Sequence, residues 1–170
     1  SHVGPNTVTL TVTDNNGNQD TATATVTVQD TVSPVATAQD VTVQLDASGS
    51  GSLTATQLNN GSSDACGIAT MTVSQGSFDC THVGSNTVTL TVTDNNGNVS
   101  TDNATVTVED NVAPVISVVA SNDTVECDGN GNLAELQNWL DTYGGAAATD
   151  ACGFTWSNNH SAVSDECGAT

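Results

Sequence analysis

Between Thr7 and Thr13 threonine alternates with valine or leucine, and the same alternation returns between Thr87 and Thr93. A period of two over β-branched residues puts Val8, Leu10 and Val12 on one face and the threonines on the other, the pattern of a half-buried strand with its apolar side inward. The turn sequence DNNGN follows each run, with Asn16-Gly17 placed to supply the positive φ angles of a tight connection. A second alternating run, Ala22 to Val28 or Ala104 to Val108, then completes an antiparallel hairpin.

The match extends beyond the hairpin. His2 falls on His82, Asp14 on Asp94, Gly17 on Gly97, Asp30 on Asp110 and Pro34 on Pro114, at a constant spacing of 80 residues. The chain is therefore modular. Its first copy opens inside the shared segment, so we expect a window on a longer protein: the C-terminal half of one module at 1–33, a complete module at 34–113 and the N-terminal part of the next at 114–170. Further short apolar runs at Val41–Leu45, Leu53–Leu58, Ile68–Val73 and Val115–Val119, punctuated by Gly, Ser and Asn, predict more strands or short turns and an all-β sandwich rather than a parallel sheet. One stretch departs from the pattern. In NLAELQNWLDTYGG, Leu133, Leu136, Leu140 and Tyr143 recur at helical spacing, with Asn132 as N-cap and Gly144 as stop, which predicts one short helix inserted in the last module. Its Trp139 and Tyr143 read as a plug over the sandwich edge or as a sugar-binding platform.

Charge narrows the possible partners. The chain holds 19 Asp and Glu and no Lys or Arg, for a formal charge of −19. That balance argues against nucleic acid and against direct membrane contact. Without Lys, Schiff-base chemistry and Lys-Asn isopeptide crosslinks are both impossible. Uncompensated carboxylates repel over roughly 8 Å at physiological salt, so the surface requires a saline setting, bound cations or wide spacing.

With few aromatics and mostly Val, Ala and Leu for apolar residues, each core is thin, and a module of about 80 residues gains much from covalent staples. Cys66 in SSDACGIA and Cys152 in ATDACGFT sit in matching contexts, each followed some 14 or 15 residues later by another cysteine, Cys80 or Cys167. Equivalent pairs Cys66–Cys80 and Cys152–Cys167 are the expectation, in an oxidising, extracytoplasmic compartment. Cys127 aligns with Leu45 and reads as core-facing, with its partner beyond residue 170 or as a buried thiol.

Taken together, NTVTLTVTDNNGN, ATVTVEDNVAPVI, VQLDASGSG, NNGSSDACGIA and FDC resemble hyalin repeat (HYR) modules, and are similar to tandem repeats of giant Bacteroidota surface adhesins such as the SprB-type gliding-motility adhesins. The resemblance implies tandem immunoglobulin-like β-sandwiches, export by the type IX system, an extracellular place on the cell surface, and a role as structural stalk or filament that spaces an adhesive tip from the cell. The partners it implies are neighbouring modules of the same chain and an unidentified surface glycan or protein; the alternative is a module that itself binds that glycan or protein. It also implies O-glycosylation at Asp followed by Ser or Thr, for which Thr21, Thr31 and Thr124 are the candidate sites.

The repeated acids carry the remaining expectation. If the DNNGN turn lies at the end of the sandwich where its module begins, then in a head-to-tail string Asp30 of one module approaches Asp94, Asn95, Asn96 and Asn98 of the next. A candidate Ca²⁺ site at the junctions then comprises Asp30, Asp94, Asn96 and Asn98, with Asp110 its counterpart one module on. EDNVAP also resembles the calcium-stiffened linkers of cadherins. The other reading is that these Asp and Asn close turns through side-chain to backbone hydrogen bonds. His2 and His82 recur with the module, no nucleophile elbow or zinc-ligand spacing occurs, and no enzyme is expected.

Overall fold

The structure, a computed structural model, describes residues 2–124 and 133–160. Asn132, Cys127 and Cys167, which the sequence suggests as helix cap and disulfide partners, lie outside the described residues. The chain is mostly β, and its contacts divide it into two compact units: Ser1–Val43, Ser52–Ser77 and Gly84–Thr107 form the first, Gln44–Gly51, Phe78–Val83 and Val108–Thr170 the second.

The first unit holds both copies of the alternating hairpin. β1 (Gly4–Thr13) pairs antiparallel with β2 (Gln19–Val28) from Gly4 opposite Val28 to Thr13 opposite Gln19, as a sheet of two strands. β3 (Val41–Gln44), β5 (Ile68–Val73), β7 (Gly84–Asp94) and β8 (Val99–Glu109) form a four-stranded sheet in the order β3-β8-β7-β5; β4 (Ser50–Ser52) and β6 (Ser77–Asp79), most of whose residues belong to the second unit, pair with each other. Along β7 and β8 the alternation becomes a core: Val88, Leu90, Val92, Ala104 and Val106 are buried, with Val43, Leu53 and Leu58. Each such side chain contributes about 1.5–3 kcal/mol for the valines and leucines removed from water. The segment around Leu58 is helical rather than extended. Thr54 caps a single turn, α1 (Ala55–Leu58), by a reciprocal box in which its hydroxyl accepts from the Gln57 amide and the Gln57 side chain accepts from the Thr54 amide.

The hairpin connection differs from the expected pair of positive φ angles. Only the glycine takes the left-handed conformation, at 90° in Gly17 and 91° in Gly97, and Asn16 does not. Asp14 N–H bonds Asn18 O and Gly17 N–H bonds Asp14 O, so a three-residue loop turns first and the glycine then forms a bulge that restores the register. Asn is tolerated at the central positions because its φ stays negative there.

In the second unit, β9 (Val115–Val118) pairs antiparallel with β10 (Ala147–Thr149), and α2 (Leu133–Asp141) lies between them in sequence. The helix stops in a short 3-10 turn, Tyr143–Gly145, with φ of 54° at Tyr143 and 60° at Gly144. Glycine is needed at 144 for a second reason. A Cβ there would stand 2.5 Å from the Trp139 ring, whose Nε1–H donates to Ser121 O. Tyr143 stacks on Trp156 at 5.1 Å between ring centres, and Phe154 meets Trp156 edge-on. No helix among the described residues is long and apolar enough to cross a membrane.

Candidate functional site

The described cysteines pair differently from the spacing argument. Cys80 is bonded to Cys152, with Cα atoms 5.1 Å apart at a sequence separation of 72, so neither Cys66–Cys80 nor Cys152–Cys167 forms. The physical reason lies in strand polarity. Cys66 is held at the far end of β7, where Asn95 Nδ2 donates to Cys66 O and Asn95 N–H to Gly67 O. Cys80 leads into Gly84, where β7 starts. A strand of that length spans about 35 Å, against the ~7 Å between Cα atoms that a disulfide tolerates.

Cys80 and Cys152 are each positioned by an acid that closes a turn. Asp79 accepts from the Thr81 amide and hydroxyl and lies 2.8 Å from His82 Nδ1, shaping the 3-10 turn Cys80–His82. The Thr81 hydroxyl is the main cause holding the Asp79 carboxyl below its ordinary range. Asp150 accepts from the Cys152 amide at 2.8 Å. The bridge rests on Gly49, whose φ is 74° and whose added Cβ would lie 2.7 Å from Cys80 Sγ and 3.1 Å from Ala151 Cβ. The loop carrying Gly49 is closed by Asp46, which accepts from the Ser48 hydroxyl and from the Ser48 and Ser50 amides.

The expected calcium ligands come together only in part. Asn98 Nδ2 donates to Asp30 O at 3.3 Å and to Asp94 Oδ2 at 2.7 Å, so the approach of Asp30 to the DNNGN turn is present. The Asp94 carboxylate, however, does not project: it is 1 % exposed and its Oδ1 accepts from the Asn96 and Asn98 amides. Burial pushes the Asp94 carboxyl up, but the Asn98 side chain and the Asn98, Asn96 and Gly97 amides outweigh it and hold the group below the ordinary carboxylate range. Asp94 therefore closes its turn, and so does Asp14, held low chiefly by the Asn18 side chain. Asp110 stands in the second unit and accepts from Val112 N–H.

A different set gathers around Asp30. Its Oδ1 accepts from Val32 N–H, while Oδ2 is buried with no hydrogen-bond partner among the described residues. Ligand-type atoms of Asp30, Asp64 and Cys66 all lie within 4.8 Å of one another. The repeat itself carries the signal for this set, because Asp64 and Cys66 sit at the turn end of their module, as the strand polarity places them. Thr21, Thr31 and Thr124 are all exposed, each directly after an Asp. No protein-family model matches this chain, and no curated protein matches it.

Proposed function

We propose that this chain is a segment of a structural stalk or filament in a large extracellular surface adhesin, built of tandem immunoglobulin-like sandwiches and without catalytic activity. The observation that carries the reading is the Cys80–Cys152 disulfide, which ties a residue of one sequence repeat to a residue of the next. A covalent tie between successive repeats resists extension, a property useful to a load-bearing spacer and irrelevant to a catalyst. The disulfide also supports an oxidising, extracytoplasmic setting, and the acidic, Thr-rich faces lack the exposed Arg and Trp of most binding hot spots. Junction calcium belongs to this proposal in a narrower form. The orphaned Asp30 Oδ2 and the neighbouring Asp64 are the carboxylates that fit a hard cation, since the Asp94 oxygens are committed to the turn.

One observation favours the second reading, a module that itself binds glycan or protein: Trp139, Tyr143 and Trp156 line an apolar cavity of about 240 Å³ in the second unit. Electron microscopy and surface-binding assays on the intact adhesin and on a form lacking internal repeats distinguish the two. For a stalk, beads recur at constant spacing and the shortened form binds its surface undiminished. Binding that falls in proportion to the repeats removed would overturn the stalk in favour of direct recognition.

A further inference from the structure

The cysteine of each Asp-Ala-Cys-Gly turn occupies one structural position, and Cys80 marks what that position bonds to. Cys152 lies 86 residues after Cys66, as Asp150 does after Asp64 and Thr149 after Ser63. The backbone follows the sequence. Val35 bridges Ser63 antiparallel, and Val115 pairs with Thr149 in the same sense. Asp64 accepts from Cys66 N–H at 2.7 Å and Asp150 from Cys152 N–H at 2.8 Å. The following glycines have φ of 97° and 94°.

The other half of the bridge repeats as well. Ser1-His2-Val3-Gly4 corresponds to Thr81-His82-Val83-Gly84, with φ of 115° at Gly4 and 108° at Gly84, and Asn6 and Asn86 each donate their side-chain amide to that glycine's carbonyl. At a spacing of 80, the counterpart of Cys80 is the residue that immediately precedes Ser1. The start of the first copy also reaches the right place: Val3, Gly4, Asp30 and Asn96 line one depression, and Asp30 in turn lies in the cluster with Asp64 and Cys66.

We infer that Cys66 forms an inter-repeat disulfide with a cysteine immediately upstream of Ser1, so that the Cys80–Cys152 bridge is one rung of a ladder repeated at every junction. The inference rests on the tandem-repeat reading of the stalk and adds its covalent connectivity. Formation converts two thiols to one S–S bond with loss of two protons and two electrons. The oxidant is a protein disulfide of the thiol–disulfide oxidase class, reduced to its dithiol through a mixed disulfide.

The test is disulfide mapping of the native full-length protein, alkylated in denaturant without reductant, digested with pepsin at acid pH to prevent exchange, and analysed by mass spectrometry. The expected product is a Cys66 peptide linked to a peptide running into SHVGPN, lost on reduction, beside a Cys80–Cys152 pair. In a Cys66→Ser variant of the same protein, the upstream cysteine should become alkylated, raising the thiol count by one. A Cys66 bonded to another cysteine, or alkylated in the native protein, overturns the ladder while leaving the stalk intact. An upstream sequence without a repeat overturns both.

Discussion

The two hairpins β1–β2 and β7–β8 share nearly one sequence and one turn, yet among the described residues only the second is packed into a core. Their Asp turns agree bond for bond: Asp14 and Asp94 each accept from the amides two and four residues on at 2.8–2.9 Å and from the Asn side chain four on at 2.7 Å. Their apolar faces do not agree. Val8, Leu10 and Val12 are 42, 66 and 67 % exposed, whereas Val88, Leu90 and Val92 are 0 % exposed. The difference is in the neighbours, since β3 and β5 flank the second hairpin and, among the described residues, no further strand pairs with the first. Turn chemistry is thus settled within five residues, whereas burial of an alternating face requires strands from elsewhere in the chain.

The largest effect follows directly from that contrast. In the segment 1–170 taken by itself, Leu90→Ala should lower stability by about 3 kcal/mol, because it removes a fully buried side chain and leaves a cavity, and Leu10→Ala by less than about 1 kcal/mol, because most of its surface meets water there. Urea unfolding followed by far-ultraviolet circular dichroism measures both. Equal shifts in midpoint would break the comparison by showing that the first hairpin is buried in solution.

Acid offers the next discrimination. The carboxyls of Asp14 and Asp94 both titrate below their ordinary range, so each contributes stability that is present above the unfolded-state pKa of about 3.9 and lost as pH falls through the folded value. Only Asp94 is buried in a sheet whose loss unfolds a core. Asp94→Asn should therefore flatten the fall in the urea midpoint between pH 5 and pH 2, while Asp14→Asn leaves that fall nearly unchanged. Identical profiles for the two variants would place the acid sensitivity elsewhere among the carboxylates.

These contrasts also mark how far the sequence is readable. The strands Ile68–Val73, β7 and β8 follow from alternation, and α2 follows from helical spacing, because these patterns record local geometry. The single turn at Ala55–Leu58 is harder to read, since its apolar residues Leu53 and Leu58 fit strand or turn equally and the Thr54–Gln57 box decides the matter. The cysteine pairing is not legible from spacing, because closeness in sequence favours Cys66–Cys80 whereas strand polarity decides the bond; the same hairpin geometry that brings Asp30 to Asn98 also carries Cys66 away from Cys80. Asp94 illustrates the remaining ambiguity, as a carboxylate at a strand end suits a cation or a turn, and only the three-dimensional surroundings show its oxygens already occupied.

The smallest effect isolates what the second turn has and the first lacks. Asn18 and Asn98 both donate to their turn Asp, but Asn98 donates in addition to Asp30 O, at 3.3 Å. Substituting Ala at either position removes the shared bond, so the difference between Asn98→Ala and Asn18→Ala reports the extra one. A part-buried neutral hydrogen bond of that length is worth about 0.5–1 kcal/mol. Hydrogen exchange gives the sharper readout, because loss of the bond should speed exchange at amides around Asp30 two- to five-fold by the same energy, while Asn18→Ala leaves them alone. Unchanged exchange around Asp30 in Asn98→Ala would mean that the first copy meets the second through the Asp30–Asp64–Cys66 cluster alone.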